Sequence, residues 1–183
     1  LFDYTGLDGA AVLRQAQDIV PDDKDIVVPI FDRPLAQSAG SAVEGVLGTI
    51  HWDPALETDV SEAFTDAWDA FAGDDGDMTT NPSDLVHLAY VQLFQYAAAA
   101  ERAGSLDAGD IVAALEDHTY TAGLGGEETM RACDHQAERP VPVVKGRPKA
   151  TQVGGVYFDH VTTATEAGYP CEEEPASACS LGE

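Results

Sequence analysis

Apolar residues recur at helical spacing in two segments near the middle of the chain, and the polar stretch AGSLDAGD separates them. The first segment follows Ser83 and contains no Pro or Gly before Gly104, a residue that readily adopts the left-handed conformation of a helix end. The second segment follows Ser105 or Asp107, either of which can cap a helix, and ends near His118. The pattern therefore predicts two consecutive amphipathic helices.

Helical patterns and short apolar runs alternate along the rest of the chain. They predict helices at 9–20, 35–39 and 59–71, and strands at 25–31, 44–51, 141–144 and 155–158. The first of these strands is almost wholly apolar, which is typical of a parallel strand covered on both faces. Because helices and strands alternate, the sequence favours an α/β fold in which a parallel sheet is flanked by helices. Residues 164–183 show little pattern and are interpreted as a C-terminal tail.

Several short motifs occur in an order that is known from one family. The sequence LRQA at 13–16 precedes VEGVLGT at 43–49, and the first long helix ends in Ala-Gly-Ser. A glycine-rich turn at 123–126 and the sequence DHQ at 134–136 follow. Over roughly residues 1–160, these motifs together resemble the C-terminal half of a type I periplasmic solute-binding protein of an ABC importer. The resemblance is greatest to the branched-chain amino acid and amide receptors.

This resemblance implies a fragment of a two-lobed receptor whose chain crosses between the lobes. By that comparison, residues 1–50 belong to the second lobe, and residues 53–135 add helices to the first lobe. Residues 140–160 then return across the hinge. The resemblance also implies that a first half of the receptor, which this sequence does not contain, precedes residue 1.

The resemblance also places a ligand cleft. The family's cleft-lining positions correspond to Tyr4 or Thr5, to Phe31 or Asp32 after an apolar strand, and to His87 in the first turn of the long helix. Open α/β sheets bind ligands outside the carboxyl ends of their strands, which agrees with Phe31 and Asp32. Asp32 could pair with a ligand amine. The structural alternatives are that Phe31 belongs to the core, that Asp32 forms an ion pair in the neighbourhood of Arg33 or caps the following helix, and that His87 lies on the surface.

The function implied is that of an extracellular receptor, anchored to the membrane through its absent N-terminus. It would bind a branched-chain amino acid, an amide or a similar small polar solute between two lobes and deliver it to an ABC permease. Many members of the family carry an aromatic residue where this chain has His87, so the ligand stays open. The alternative is a ligand-sensing regulatory domain of the same fold that is coupled to a signalling partner.

The charge of the chain narrows the possible partners. Its 33 acidic and 9 basic residues give a net charge of −24. Binding to nucleic acid phosphates needs clustered Lys and Arg, so nucleic acid is excluded as a partner. The acidic residues are dispersed between apolar positions, which favours a halophilic surface adapted to molar salt, where counterions screen the self-repulsion. An acidic protein from an ordinary cytosol is the alternative.

The three cysteines suggest one disulfide bond. Cys171 and Cys179 flank a short acidic loop in the tail, and we predict that they are linked while Cys133 stays free. Three free thiols in a reducing compartment are the alternative. No CxxC pair and no His pair at ligand spacing is present, so we predict no zinc site.

Catalytic and metal-binding motifs are weak. Asp-His pairs occur at 117–118, 134–135 and 159–160, but sequence neighbours point apart and form no dyad. The chain has no nucleophile elbow, Walker loop or GxGxxG motif, and the acidic loop at 74–77 lacks the Gly and Glu of a calcium loop. His135, beside Arg131, is interpreted as part of a structural hydrogen-bonded cluster. We therefore expect a binding protein rather than an enzyme, without a cofactor or a metal ion.

Overall fold

The computed structural model describes residues 6–54, 56, 58–72, 82–153, 155–165 and 168–179. The candidate cleft residues Tyr4 and Thr5 lie outside the described residues, as does the acidic loop at 74–77. The helices are α1 Gly6–Ile19, α2 Arg33–Ala39, α3 Asp59–Ala72, α4 Asp84–Ala103 and α5 Ala108–Leu115. The strands are β1 Val27–Val28, β2 Leu47–Thr49, β3 Thr119–Tyr120, β4 Glu128–Met130, β5 Ala137–Glu138, β6 Val141–Gly146 and β7 Phe158–Ala164.

The two consecutive amphipathic helices predicted from the sequence are α4 and α5. The Ser83 side chain caps α4 by accepting a hydrogen bond from a first-turn backbone N–H, and the helix ends at Gly104, whose φ is 61°. Asp107, rather than Ser105, caps α5, and its Oδ1 accepts from the backbone N–H of Gly109 at 3.0 Å. Because caps and left-handed glycines act within a few residues, the sequence was sufficient to locate these helix ends.

The larger of two sheets has four strands in the order β1-β2-β6-β7. β1 and β2 are parallel, whereas β6 runs antiparallel to both β2 and β7. The α/β class is confirmed, but the parallel arrangement applies only to β1 and β2 among the strands described. The reason is that β6 enters the sheet where β2 leaves it, and the N–H of Ile50 donates to the carbonyl of Pro142 at 3.1 Å.

The last strand differs from its prediction. The run at 155–158 was predicted as a strand, but β7 begins at Phe158 and continues to Ala164. Most of β7 is exposed at the edge of the sheet, and its residues include Asp, His and Thr. An edge strand of this kind lacks the apolar alternation that sequence analysis uses, so the pattern located only its buried first residue.

The smaller sheet, in the order β3-β4-β5, is antiparallel throughout. It was not predicted. Its strands contain two or three residues each, which is too short for a periodic pattern.

Two separate hydrophobic cores lie within the described residues. The first joins α1 and α2 to the four-stranded sheet, and its buried side chains come from residues 10–50 and 144–158. The second packs α3 and α4 against the turn before β4, around Trp52, Phe64, Val91 and Leu124. Trp52 meets the ring of Phe64 edge-on at a centroid distance of 5.3 Å and donates its indole N–H to Ser61 Oγ at 2.9 Å. The chain passes from one core to the other between residues 50 and 52.

The disulfide bond joins Cys133 to Cys171, and Cys179 is an exposed free thiol. The predicted pairing of Cys171 with Cys179 is therefore wrong. The antiparallel β6–β7 pair carries the chain back beside the connection between β4 and β5, which brings together cysteines 38 residues apart. Arg131 strengthens the same junction, because it forms an ion pair with Asp134 and donates to the carbonyl of Tyr169.

Candidate ligand-binding site

Polar side chains from both cores meet at the carboxyl ends of the two parallel strands. Asp32 follows β1, His51 follows β2, and the first turn of α4 supplies Asp84 and His87. Arg139, in the connection from β5 to β6, donates a hydrogen bond to Nδ1 of His51. These five residues, the junction cluster, occupy the position where open α/β sheets bind ligands.

Asp32 is buried and caps α2. Its Oδ1 accepts a hydrogen bond from the backbone N–H of Leu35 at 2.8 Å, and only 5% of the residue is exposed. Burial raises the pKa of Asp32, and the hydrogen bond from Leu35 opposes this effect. Asp32 therefore caps α2, as the structural alternative predicted, but the cap uses only one oxygen of its carboxylate. The carboxylate also lies at the junction between the two cores.

Phe31 belongs to the first core. Its side chain is fully buried, and its ring lies 4.8 Å from the ring of Phe158. A side chain at position 48 would collide with it, since a Cβ added to Gly48 would lie 2.6 Å from the Cβ of Phe31. The core alternative accounts for Phe31, and its ring does not form a cleft wall in this structure.

His87 is almost completely buried, so the surface alternative is wrong. Its ring stacks on Trp52 at a centroid distance of 5.7 Å, and neither ring nitrogen has a hydrogen-bond partner among the described residues. Burial, the positive charge of Arg139 and, once it is protonated, that of His51 lower the pKa of His87 to about 4, although the backbone of Asp84 acts in the opposite direction. The imidazole is thus neutral near pH 7, with one donor and one acceptor position available.

Sequence reasoning missed three residues of the cluster, His51, Asp84 and Arg139, and Asp84 is the most deeply buried of them. Only 3% of it is exposed, and neither carboxylate oxygen makes a hydrogen bond of normal geometry to a described residue. Burial and the negative charge of Asp32 raise the pKa of Asp84 to about 6, although nearby backbone N–H groups act in the opposite direction. In the sequence, an Asp directly after a capping Ser looks like an ordinary favourable charge at a helix start. Its burial depends on contacts that the local sequence does not encode.

The arginines near the junction have other interactions. Arg33 lies over the ring of Tyr157, with its guanidinium carbon 5.7 Å from the ring centroid, and it interacts electrostatically with Asp53. Burial and the charge of Arg139 lower the pKa of His51, so this imidazole is also neutral near pH 7. The two carboxylates of the junction cluster repel each other, and this repulsion contributes to the raised pKa of Asp84.

The described residues contain no group of three or more His, Cys, Asp and Glu side chains placed to hold a metal ion. No described helix combines the length and apolar character needed to cross a membrane. Chemically, the junction offers acceptor oxygens on Asp84 and a neutral imidazole on His87. Both groups are enclosed, and neither makes a hydrogen bond of normal geometry to a described residue.

The architecture is that of type I periplasmic binding proteins, and solved structures of this class resemble it over most of the chain. An amino acid ABC transporter substrate-binding protein from Pseudomonas fluorescens Pf-5 is 21% identical, with a TM-score of 0.76 over 96% of this chain and 45% of its own. The leucine-binding protein LivK of Thermotoga maritima MSB8 is 24% identical, with a TM-score of 0.68 over 90% and 44%. A leucine-, isoleucine-, valine-, threonine- and alanine-binding protein from Brucella ovis is 22% identical, with a TM-score of 0.71 over 89% and 42%.

The model of the periplasmic binding protein family matches residues 2–152, and the chain belongs to this family. It spans less than half the length of these three solved structures. No curated protein sequence is significantly similar to the chain.

Proposed function

We propose that this chain is the C-terminal half of an extracellular solute-binding receptor of an ABC importer. The receptor binds an amino acid, an amide or a similar small polar solute between two lobes and delivers it to a permease. The observation that carries the proposal is the junction cluster, where Asp32 from the first core meets Asp84 and His87 from the second. Enclosed polar groups whose hydrogen bonds are incomplete cost free energy unless a ligand or water satisfies them, which supports a binding role for Asp84 and His87.

The two cores support an assignment of the chain to two lobes. One lobe contains residues 1–50 and the strands of the segment 140–160, and the other contains residues 53–135. The chain passes from the first core to the second at residues 50–52 and returns near Arg139. These two connections form part of the hinge. Phe31 lies within one lobe, whereas Asp32 and His87 face the cleft from opposite lobes, and Tyr4 and Thr5 remain candidate cleft residues.

Exposed apolar side chains on the second core support the proposal that a first half of the receptor packs against it. Several large apolar side chains of α3 and α4 are exposed, among them Phe71 at 76% and Leu93 at 66%. Contiguous exposed apolar groups mark a surface that another part of the protein covers. We assign this surface to the first half of the receptor chain, which in a lobe of this class would complete the sheet. The disulfide bond supports an extracellular location, since such bonds persist in oxidising compartments.

Asp32→Asn in the full-length receptor tests the proposal. Asn caps helices about as well as Asp, so the substitution removes the charge and keeps the cap of α2. We expect calorimetry to show amino acid binding by the wild type and at least tenfold weaker binding by the variant. Asp107→Asn is the matched control, because it makes the same change at the exposed cap of α5 and should bind like the wild type. Unchanged affinity of Asp32→Asn would remove Asp32 from the site, and a wild-type receptor that binds no amino acid or amide would refute the function.

A further inference from the structure

The turn between β4 and β5, which contains Cys133, is fixed to the second core. In this turn, Nε2 of His135 lies 2.7 Å from Oε1 of Glu116, the residue that follows α5. Strand β4 is held to α4 in turn, because Gln95 donates a hydrogen bond to Oε2 of Glu128 at 2.9 Å. Cys133 therefore moves with the second core.

Cys171 belongs to the other side of the return connection. Strand β7 pairs with β6 along its length, and its last residue, Ala164, lies opposite Val141 where β6 begins. Cys171 follows Ala164 by seven residues, which span about 25 Å at most. The Cys133–Cys171 bond, with its Cα atoms 6.0 Å apart, thus links the second core to the sheet of the first core, beside the return of the chain near Arg139.

Weaker contacts and a cavity lie beside this bond. Arg131 donates to the carbonyl of Tyr169, and a Cβ added to Gly168 would lie 3.3 Å from Nη1 of Arg131. A cavity of about 460 Å³ separates the tail from the return connection, and residues 136–139 and 168–170 form most of its lining. The cavity leaves room for the two segments to approach each other. A covalent link between them therefore resists separation of the cores and permits their approach.

The bond has mechanical importance because few other contacts oppose such a movement. Among the described elements, no helix or strand of the first core packs extensively against one of the second. Relative motion of the cores is then absorbed by the connections between them, as in hinged domain closure. Hydrogen bonds such as that of Arg131 can break and re-form during this motion, whereas a disulfide bond cannot.

We propose that the Cys133–Cys171 disulfide bond is a strap across the hinge, and that its redox state sets how far the two lobes open. This inference rests on the proposed two-lobed receptor function. Both cysteines are half-buried, so a small dithiol can reach the bond. Reduction cleaves the S–S bond and gives two cysteine thiols, while the dithiol is oxidised to its own disulfide. The lobes of the reduced receptor open further, and those of the linked receptor stay closer together.

Single-molecule fluorescence energy transfer in the full-length receptor measures the opening without a ligand. Maleimide dyes are attached at Gln15→Cys on α1 and Glu101→Cys on α4, two exposed positions on opposite cores. The background carries Cys179→Ser, which removes the free thiol of this half. We expect dithiothreitol to shift the ligand-free receptor to lower transfer efficiency, with at least about a twofold larger open population. Reoxidation should restore the original distribution.

Cys133→Ser combined with Cys171→Ser, in the same labelled background, is the matched control. This variant has no strap, so it should show the distribution of the reduced receptor before treatment and should not respond to dithiothreitol. Circular dichroism checks that it is folded. If the variant does not fold, reduction of the linked receptor still tests the strap, because it requires no substitution of either cysteine.

The outcomes distinguish the inference from the function beneath it. An unchanged distribution after reduction overturns the inference, and so does a double variant that responds to dithiothreitol as strongly as the linked receptor. Neither result depends on a solute, so the receptor function would stand. Calorimetry of the linked receptor with amino acids and amides tests the function separately. A receptor that binds none of them would refute the function, and the transfer measurement would still decide whether the bond restrains the two cores.

Discussion

The disulfide bond gives a stability prediction whose size follows from the structure. We consider Cys133→Ser combined with Cys171→Ser, which removes the link without leaving a reactive thiol behind. The bond closes a loop of 38 residues. In the chain-entropy model, such a loop constrains the unfolded chain by about 13 cal/mol/K, which corresponds to about 4 kcal/mol at 25 °C.

The measured loss should not exceed this value, because the double variant keeps the native contacts of this junction. Arg131 remains in the double variant, and its ion pair with Asp134 and its hydrogen bond to the carbonyl of Tyr169 still hold the chain after β7 beside the connection between β4 and β5. We therefore expect the free energy of unfolding of residues 1–183 to decrease by about 2–4 kcal/mol.

Urea denaturation in high salt, followed by circular dichroism, measures this change. Cys179→Ser is the control, because this thiol is exposed and unpaired, and it should unfold like the wild type. Reduction of the wild type should reproduce the double variant. Equal midpoints and slopes for the double variant and the wild type would refute the reasoning, and so would peptide mapping that links Cys171 to Cys179.

Two further predictions concern charge. Asp84 has a folded-state pKa of about 6, above its usual 3.8, so the stability that it contributes is present below about pH 4 and is lost as the pH rises through 6. Asp84→Asn should therefore be more stable than the wild type above pH 6, by about 3 kcal/mol at most, and the two melting temperatures should converge below pH 4. With a net charge of −24, the chain should also require salt to fold, because screening shortens the reach of repulsion to about 3 Å at 1 M. Full cooperative structure by circular dichroism in dilute buffer would contradict the halophilic interpretation.

The sequence predicted those features that depend on neighbouring residues. The start of α4 at Ser83 and its end at Gly104 were located because a cap and a left-handed glycine act locally. The apolar residues of β1 and β2 likewise indicated strands, although both strands proved shorter than predicted and Val27 of β1 is exposed rather than covered.

Features that depend on contacts between distant parts of the chain could not be predicted from local sequence patterns. Cys171 lies near Cys179 in sequence, but the antiparallel β6–β7 pair places it beside Cys133. The same distinction applies to the residues of the candidate site. The position of Asp32 after an apolar strand drew attention to it, whereas Asp84 became a candidate only when the packing of α4 showed its carboxylate to be enclosed.

The antiparallel pairing of β2 with β6 has a consequence for how the architecture can vary. Thr49 lies opposite Val143, so everything between them leaves and re-enters the four-stranded sheet at adjacent points. For that sheet, the second core is an insertion within a hairpin, and the entropy of closing such a loop increases only slowly with its length. The inserted segment can accordingly lengthen, shorten or change its contents while the register of the sheet stays fixed. One half of this architecture can serve as a constant frame on which the other half diversifies.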